Sequence, residues 1–327
     1  MGAGVLGVPF ALRACAFAAI ADTSQELSAP YSEPRDLYAA LARQSHSTLT
    51  IGGGVVEIVF ADGAPGLDRN RVMGWIRASA EAVTEYFGRY PVNKVGILVI
   101  AEDGARIRGG TTYGFAGAAI RIHVGHEADA RAFQKDWIMV HEMTHLALPI
   151  VPEESLWMLE GSATYVEPIA RAQAGQLSAG DVWRDSLNGM PKGLPMAGDR
   201  GLDNTPTWGR TYWGGALFCL LADIKIRQAT GNGMGLQEAF RAINRVSGGN
   251  AAHWSMARLN AIGDAATGTH VLQDLYDEMK ASPIQVDLGA LFVKLGVGFA
   301  DGDVVFDDAA PLSHIRMAIL EPRRSSQ

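Results

Sequence analysis

The chain has 327 residues, a net charge of −7, 48% hydrophobic residues and 19% charged ones. That composition supplies a packed core and excludes general disorder, a basic nucleic-acid footprint and attraction to an anionic membrane. With two cysteines, Cys15 and Cys219, a disulfide framework is excluded as well. At roughly 150 residues per domain the length suggests about two domains. Outside the N-terminus no apolar run reaches the ~18 residues of a spanning helix.

Residues 1–21, MGAGVLGVPFALRACAFAAIA, are apolar and small, and Ala19-Ile20-Ala21 fits the small-x-small pattern of signal cleavage. The segment reads as a signal or N-terminal apolar segment. No basic residue precedes it and Arg13 interrupts it. Leu12-Arg13-Ala14-Cys15 resembles a lipoprotein box apart from that Arg. Export, periplasmic or secreted and with a lipid anchor as an option, is the expectation; a cytoplasmic chain stays open. Gly2-x-Gly4-x-x-Gly7 has no preceding strand and is set aside as a nucleotide motif.

Further along, a short helix is expected near Asp36–Ala42 and a strand over Val55–Ala61. An amphipathic helix is expected over Leu67–Tyr90, stopped by Pro91, and a buried strand over Lys94–Ala101. Thr112–Val124 reads as a hairpin or edge strand. From Ala130 the period becomes helical: one helix over Ala130–Leu148, and a second from Pro152 to about Glu167, where Pro168 should kink or end it. Residues 188–208 read as a long loop and Tyr212–Thr230 as a third strong helix. Gly231-Asn232-Gly233 is the turn at its end, Cys219 a small core residue within it, and Leu236–Arg245 and about 251–281 are helical too. The expectation is an α+β protein: a twisted mixed sheet with helices over 22–150, then a mainly helical lobe over 151–327.

Chemistry concentrates at His141-Glu142-Met143-Thr144-His145. On a helix, residues i and i+4 share a face, so both imidazoles can bind one zinc ion. Glu142 lies about 100° further round, where its carboxylate can serve a water rather than the metal. Fourteen residues separate His145 from Glu160, and the prolines between them let the next helix fold back as a source of a third ligand. Two His and one Glu leave a fourth position open, as a catalytic zinc requires. The competing readings are a pair of satisfied core histidines and a surface carboxylate.

The motif followed by Trp157-Met158-Leu159-Glu160-Gly161-Ser162-Ala163-Thr164-Tyr165 resembles the gluzincin zinc metallopeptidases, most of all the aminopeptidase N, leukotriene hydrolase and glycyl aminopeptidase families. Tyr212-Trp213-Gly214-Gly215 and Leu220–Gly231 continue the likeness, which spans roughly residues 109–245. The resemblance implies a zincin-type two-lobed fold with the active-site helix between the lobes. It implies one zinc per chain on His141, His145 and Glu160, Glu142 as general base and Tyr212 as oxyanion donor. It makes Glu167 a carboxylate that orients a ligating histidine, with a solvent-facing carboxylate as the alternative. Two departures stand out. Gly214 replaces the family's Lys, and the stretch Gly109–Phe115 lacks the acid that pairs with a substrate's free amine. The tryptophans Trp137 and Trp157 read as core, Trp208 and Trp213 as cleft residues. His123 and His126 form H-x-x-H, a weak candidate for a second metal site.

Together these features point to a zinc metallopeptidase acting on a peptide or protein substrate. A zincin-fold binding protein without turnover and a zinc hydrolase of a non-peptide substrate remain as alternatives.

Overall fold

Alternation of apolar side chains builds a sheet buried on both faces. In β2 (Gly54–Phe60), Val56, Ile58 and Phe60 enter the main core while Val59 enters a smaller one. β3 (Lys94–Glu102) does the same with Val95, Ile97 and Val99 against Leu98. With β1 (His46–Ile51), β4 (Ile107–Tyr113) and β5 (Ala119–Gly125) they form a five-stranded sheet in the order β1-β2-β3-β5-β4. The β1–β2 and β4–β5 pairs are antiparallel, and β2–β3 and β3–β5 parallel. β4 is therefore an edge strand. This is the architecture of a computed structural model that describes residues 31–322. The apolar segment 1–21, its glycine pattern and Cys15 lie outside the described residues.

Helix α1 (Pro34–Arg43) covers the smaller core through Leu37 and Ala40. On the other face lie α2 (Arg69–Phe87), α4 (Ile138–His145) and α5 (Leu156–Gln173), whose buried residues join the main core. Beyond them the chain is mainly helical. It runs through α6 (Ala179–Gly189), α7 (Gly215–Ala229), α8 (Leu236–Ser247), α9 (Met256–Thr267), α10 (Val271–Met279), α11 (Leu288–Leu295) and α12 (Ser313–Leu320). A hairpin of β6 (Val297–Ala300) and β7 (Asp303–Phe306) interrupts this part. No helix among the described residues is long and apolar enough to cross a membrane.

Three expectations are corrected. The helix expected over Ala130–Leu148 is two, α3 (Ala130–Lys135) and α4. Asp136 adopts an extended backbone between them, and its carboxylate accepts from the Met139 N–H and the Trp75 indole, both at 3.1 Å. A short polar side chain that competes for backbone donors ends one helix and starts the next. Pro168 does not end α5, which continues to Gln173. Val166 and Ala170 on either side are fully buried, and their packing outweighs the hydrogen bond that the ring removes. The third helix opens with a π-helical turn, Gly209–Gly214, ahead of α7.

Two glycines set how close α5 and α7 approach. A Cβ on Gly161 would lie 2.3 Å from the Gly215 Cα, and one on Gly215 would lie 2.1 Å from the Trp157 carbonyl oxygen. The crossing brings the π-helical turn, and Tyr212 within it, beside α5. Gly161→Ala must therefore push two helix backbones apart. It should cost about 1–3 kcal/mol of stability, read as a lowered midpoint in urea unfolding. An unchanged midpoint would contradict the contact.

Candidate metal centre

One turn of α4 carries His141 and His145, and their Nε2 atoms lie 3.2 Å apart. From α5, the Glu160 Oε2 lies 3.3 Å from His141 Nε2 and 3.4 Å from His145 Nε2. These three residues form the one His/Cys/Asp/Glu cluster among the described residues able to hold a metal ion. A triangle with edges near 3.3 Å is one face of a tetrahedron whose centre is about 2.0 Å from each corner, the bond length of zinc to imidazole and carboxylate. The donor set thus fits zinc in size and chemistry, with a fourth corner left over.

The electrostatics of the cluster favour a cation. Glu160 is 3% exposed. Burial alone would raise its pKa, but the charge of His145 and hydrogen bonds from both imidazoles hold the carboxyl well below the usual range. Burial opposes a charge on His145, and the facing Glu160 overcomes it and raises that pKa. A buried carboxylate of this kind is stable only beside a positive charge, a proton on imidazole or a metal.

Glu142 is buried against the edge strand. The Thr112 hydroxyl lies 2.7 Å from Glu142 Oε2 and 2.8 Å from its backbone carbonyl, so one proton is shared between two acceptors. Gly110 makes the room: a Cβ there would lie 2.4 Å from the Glu142 Cγ. Tyr212 stacks on His141, with ring centroids 6.2 Å apart and planes 20° from parallel. Trp208 stacks on Tyr212 at 5.9 Å, and Trp137 meets His141 edge-on at 5.3 Å.

Of these groups, all but Thr112 line one cleft of about 990 Å³. The structure brings together His141, Glu142, His145, Glu160 and Tyr212. It also places Glu167 on the cleft, but with a different partner. Arg171 Nη1 donates to Glu167 Oε1 at 2.7 Å, while Nη2 donates to the Gln134 carbonyl at 3.1 Å. Glu167 thus ties α5 to the end of α3 through Arg171 rather than orienting a histidine. Trp137, expected in the core, is half exposed at the cleft, whereas Trp157 is buried with its indole donating to Asp203. Trp208 and Trp213 line the cleft as expected. His123 and His126 do not share a site: their Nδ1 atoms face Glu102 at 3.3 Å and Asp103 at 3.7 Å. Sequence reasoning missed Thr112, whose only signal was a hydroxyl two residues after the paired glycines.

No protein-family profile and no curated protein matches the chain. Solved structures do match its fold. An aminopeptidase N family protein from Idiomarina loihiensis aligns with a TM-score of 0.56 at 15% identity, over 77% of this chain and 49% of its own. The chain shares that fold. An M1 zinc metallopeptidase from Deinococcus radiodurans aligns with a TM-score of 0.47 at 15% identity, over 75% of this chain and 53% of its own. A variant of an M1 zinc metallopeptidase from the same organism, bound to a Tyr-Ser-Ala substrate, aligns with a TM-score of 0.47 at 16% identity, over 75% and 53%. The chain spans about half the length of these structures.

The buried pair on the cleft wall yields a pH signature. Burial pushes Glu167 up from 4.5 to about 7, against the pull of Arg171. The unfolded chain releases this proton first, so the residue's contribution to stability is intact below pH 4.5 and is lost as pH rises through 7. Glu167→Gln removes that slope. Its stability relative to the parent, followed by urea unfolding, should improve steadily between those two pH values. A constant difference would contradict the raised pKa.

Proposed function

We propose that the protein is a zinc-dependent peptidase, with the ion held by His141, His145 and Glu160. The observation that carries this reading is the triangle of two imidazole nitrogens and one carboxylate oxygen, with edges of 3.2, 3.3 and 3.4 Å, next to a second carboxylate, Glu142 of α4, held against the edge strand by Thr112. The fold shared with an aminopeptidase N family protein supports it. A zinc ion at such a site supplies Lewis acidity, polarising a carbonyl and acidifying water.

The chain's own residues supply the rest. Glu142 is not needed as a ligand, so its carboxylate is available to take a proton from the attacking water and return it to the leaving amine. Thr112 fixes the direction of that carboxylate while it waits. Tyr212, stacked beside His141, offers a neutral hydroxyl to the oxygen on which negative charge develops, and such a donor matters most in the transition state. Among the described residues β4 is the last strand of the sheet, its Gly109 and Gly110 line the cleft, and a peptide can add to it as a further strand through main-chain hydrogen bonds.

Free amines are not read by this edge strand. Gly109–Phe115 contains no acid, and the Thr112 hydroxyl is committed to Glu142. We therefore read the enzyme as cleaving away from a free N-terminus. Acetylating the N-terminus of a cleaved peptide should leave its rate within a factor of a few. Loss of cleavage on acetylation would make the enzyme an aminopeptidase.

Metal content and turnover separate the roles. Protein purified without added metal should carry about one zinc per chain. His145→Ala and Glu160→Ala should lose most of it; full zinc in both would overturn the ligand assignment. Glu142→Gln should keep the zinc and the fold while kcat falls by ~10²–10⁴ or more. Tyr212→Phe should lower kcat by roughly 10²–10³ with KM and zinc content little changed. Near-parental kcat in either variant rejects the role of that residue.

A further inference from the structure

The large cleft runs along one face of α5. Glu160, Thr164, Glu167, Pro168 and Arg171 all line it, at the spacing of residues that share a helix face. At 1.5 Å per residue, Glu167 lies about 10 Å along α5 from Glu160. Val182, Trp183 and Asp185 of α6 line the cleft as well.

Two carboxylates on this wall are uncommitted. Glu167 is 7% exposed, and its Oε1 accepts from Arg171. Its Oε2 has no hydrogen-bond partner among the described residues, yet it is not one of the enclosed atoms that lack a partner. Oε2 is therefore an atom through which Glu167 reaches the surface of the cleft. Asp185 is half-exposed and makes no hydrogen bond or ion pair among the described residues. Burial first, and then the charges of Asp185 and Asp136, raise the Glu167 pKa against the pull of Arg171. Arg171, Arg184 and Lys192 act on Asp185, and its pKa is raised all the same, by burial and by Asp181.

The other charged groups of the cleft are engaged or stand in water. Asp181 accepts from the Ser178 N–H and hydroxyl. Arg184 donates to the Gly302 carbonyl and Asp303, and Arg108 pairs with Glu102. Lys135 and Lys192 are exposed, Lys192 over the rings of Trp208 and Trp213, and solvent screens their charges. One buried cation, Arg171, thus serves Glu167 with two further carboxylates beside it. An open acceptor site on a buried carboxylate in such surroundings favours a cationic donor.

We propose that the cleft wall at Glu167 and Asp185 is the subsite for a lysine or arginine side chain of the substrate, carried by the first or second residue after the bond that is cut. The inference rests on the zinc-peptidase reading. The side follows from strand direction. β4 gives Arg108, Gly109 and Gly110 to the large cleft, and Thr112 and Tyr113 to a smaller cavity that shares His145 and Glu160. A peptide antiparallel to β4 lays its C-terminal part along the Arg108 end. The position follows from reach: an extended chain rises ~3.3 Å per residue, so one or two residues and a long side chain cover the distance to Glu167. The apolar stem lies on Pro168, Val182 and Trp183 while the charged head meets Oε2.

The test begins with a random peptide library and the zinc-loaded protein, with cuts located by mass spectrometry. Lys and Arg should be enriched at the first or second residue after the cut. Peptides identical except for Lys, Arg, norleucine or Glu at the enriched position then give kcat/KM. Lys and Arg should exceed norleucine, which keeps the stem and lacks the charge, by about tenfold or more, and Glu should be poorest. The ratio of Lys to norleucine should fall as pH drops below about 7, because Glu167 must release a proton to accept the cation. Glu167→Gln, whose amide oxygen can still accept from Arg171, should bring Lys and norleucine together and remove that pH dependence. A Lys-to-norleucine ratio near one in the unaltered protein, a ratio that survives Glu167→Gln, or a preference for Glu overturns the inference and leaves the peptidase reading standing. Failure to cut any peptide of the library overturns the peptidase reading itself, and the inference with it.

Discussion

A carboxylate 3% exposed, between two imidazoles at 3.3 and 3.4 Å, is the feature around which the rest of the structure is arranged. Left alone in a protein interior, its charge would cost an amount comparable with the whole stability of a typical domain. It is tolerable because α4 presents two nitrogens on one face and α5 brings the Glu160 carboxylate within 3.4 Å of both. Each supporting feature serves that meeting. The Asp136 break sets the start of α4, the Gly161–Gly215 contact lets α7 and its π-helical turn close over α5, and Pro168 is absorbed because α5 is buried along its length. The Glu167–Arg171 pair then fastens α5 to α3 on the cleft wall.

The same geometry divides the surroundings of the His141–His145–Glu160 cluster into unlike halves. One half is a cleft of about 990 Å³ with half-exposed Trp137 and Trp208 at the rings that lead to His141. The other is a cavity of about 80 Å³ lined by Leu148, Ile150, Leu156 and Leu159 together with Asn250 and His253. An edge strand runs past both, with Gly110 and Thr112 shaping the position of Glu142 and the Tyr113 carbonyl shaping that of Asn250.

Local periodicity made much of this legible from sequence. The α+β class followed from strands of period two before Val124 and helices after Ala130. The i, i+4 spacing of His141 and His145 dictates a shared face once the segment is helical, and the prolines between His145 and Glu160 announce a reversal. What stayed hidden depends on contacts between distant segments. Nothing near Asp136 in the chain reveals that Trp75 will bond to it, so the helix appeared continuous. Pro168 followed its intrinsic preference on paper and its burial in fact. Glu167 lies two helical turns from Glu160, which suggested a histidine partner, but Arg171 on its own helix is nearer. Thr112 carries an ordinary residue type, and its role exists only through Glu142, 30 residues away.

X-ray absorption at the zinc edge of the purified protein tests the central claim most directly. The account predicts a first shell of nitrogen and oxygen only, at about 2.0–2.1 Å, with the outer-shell scattering of two imidazoles. A sulfur neighbour at about 2.3 Å, a shell without imidazole, or protein that retains no zinc would contradict it.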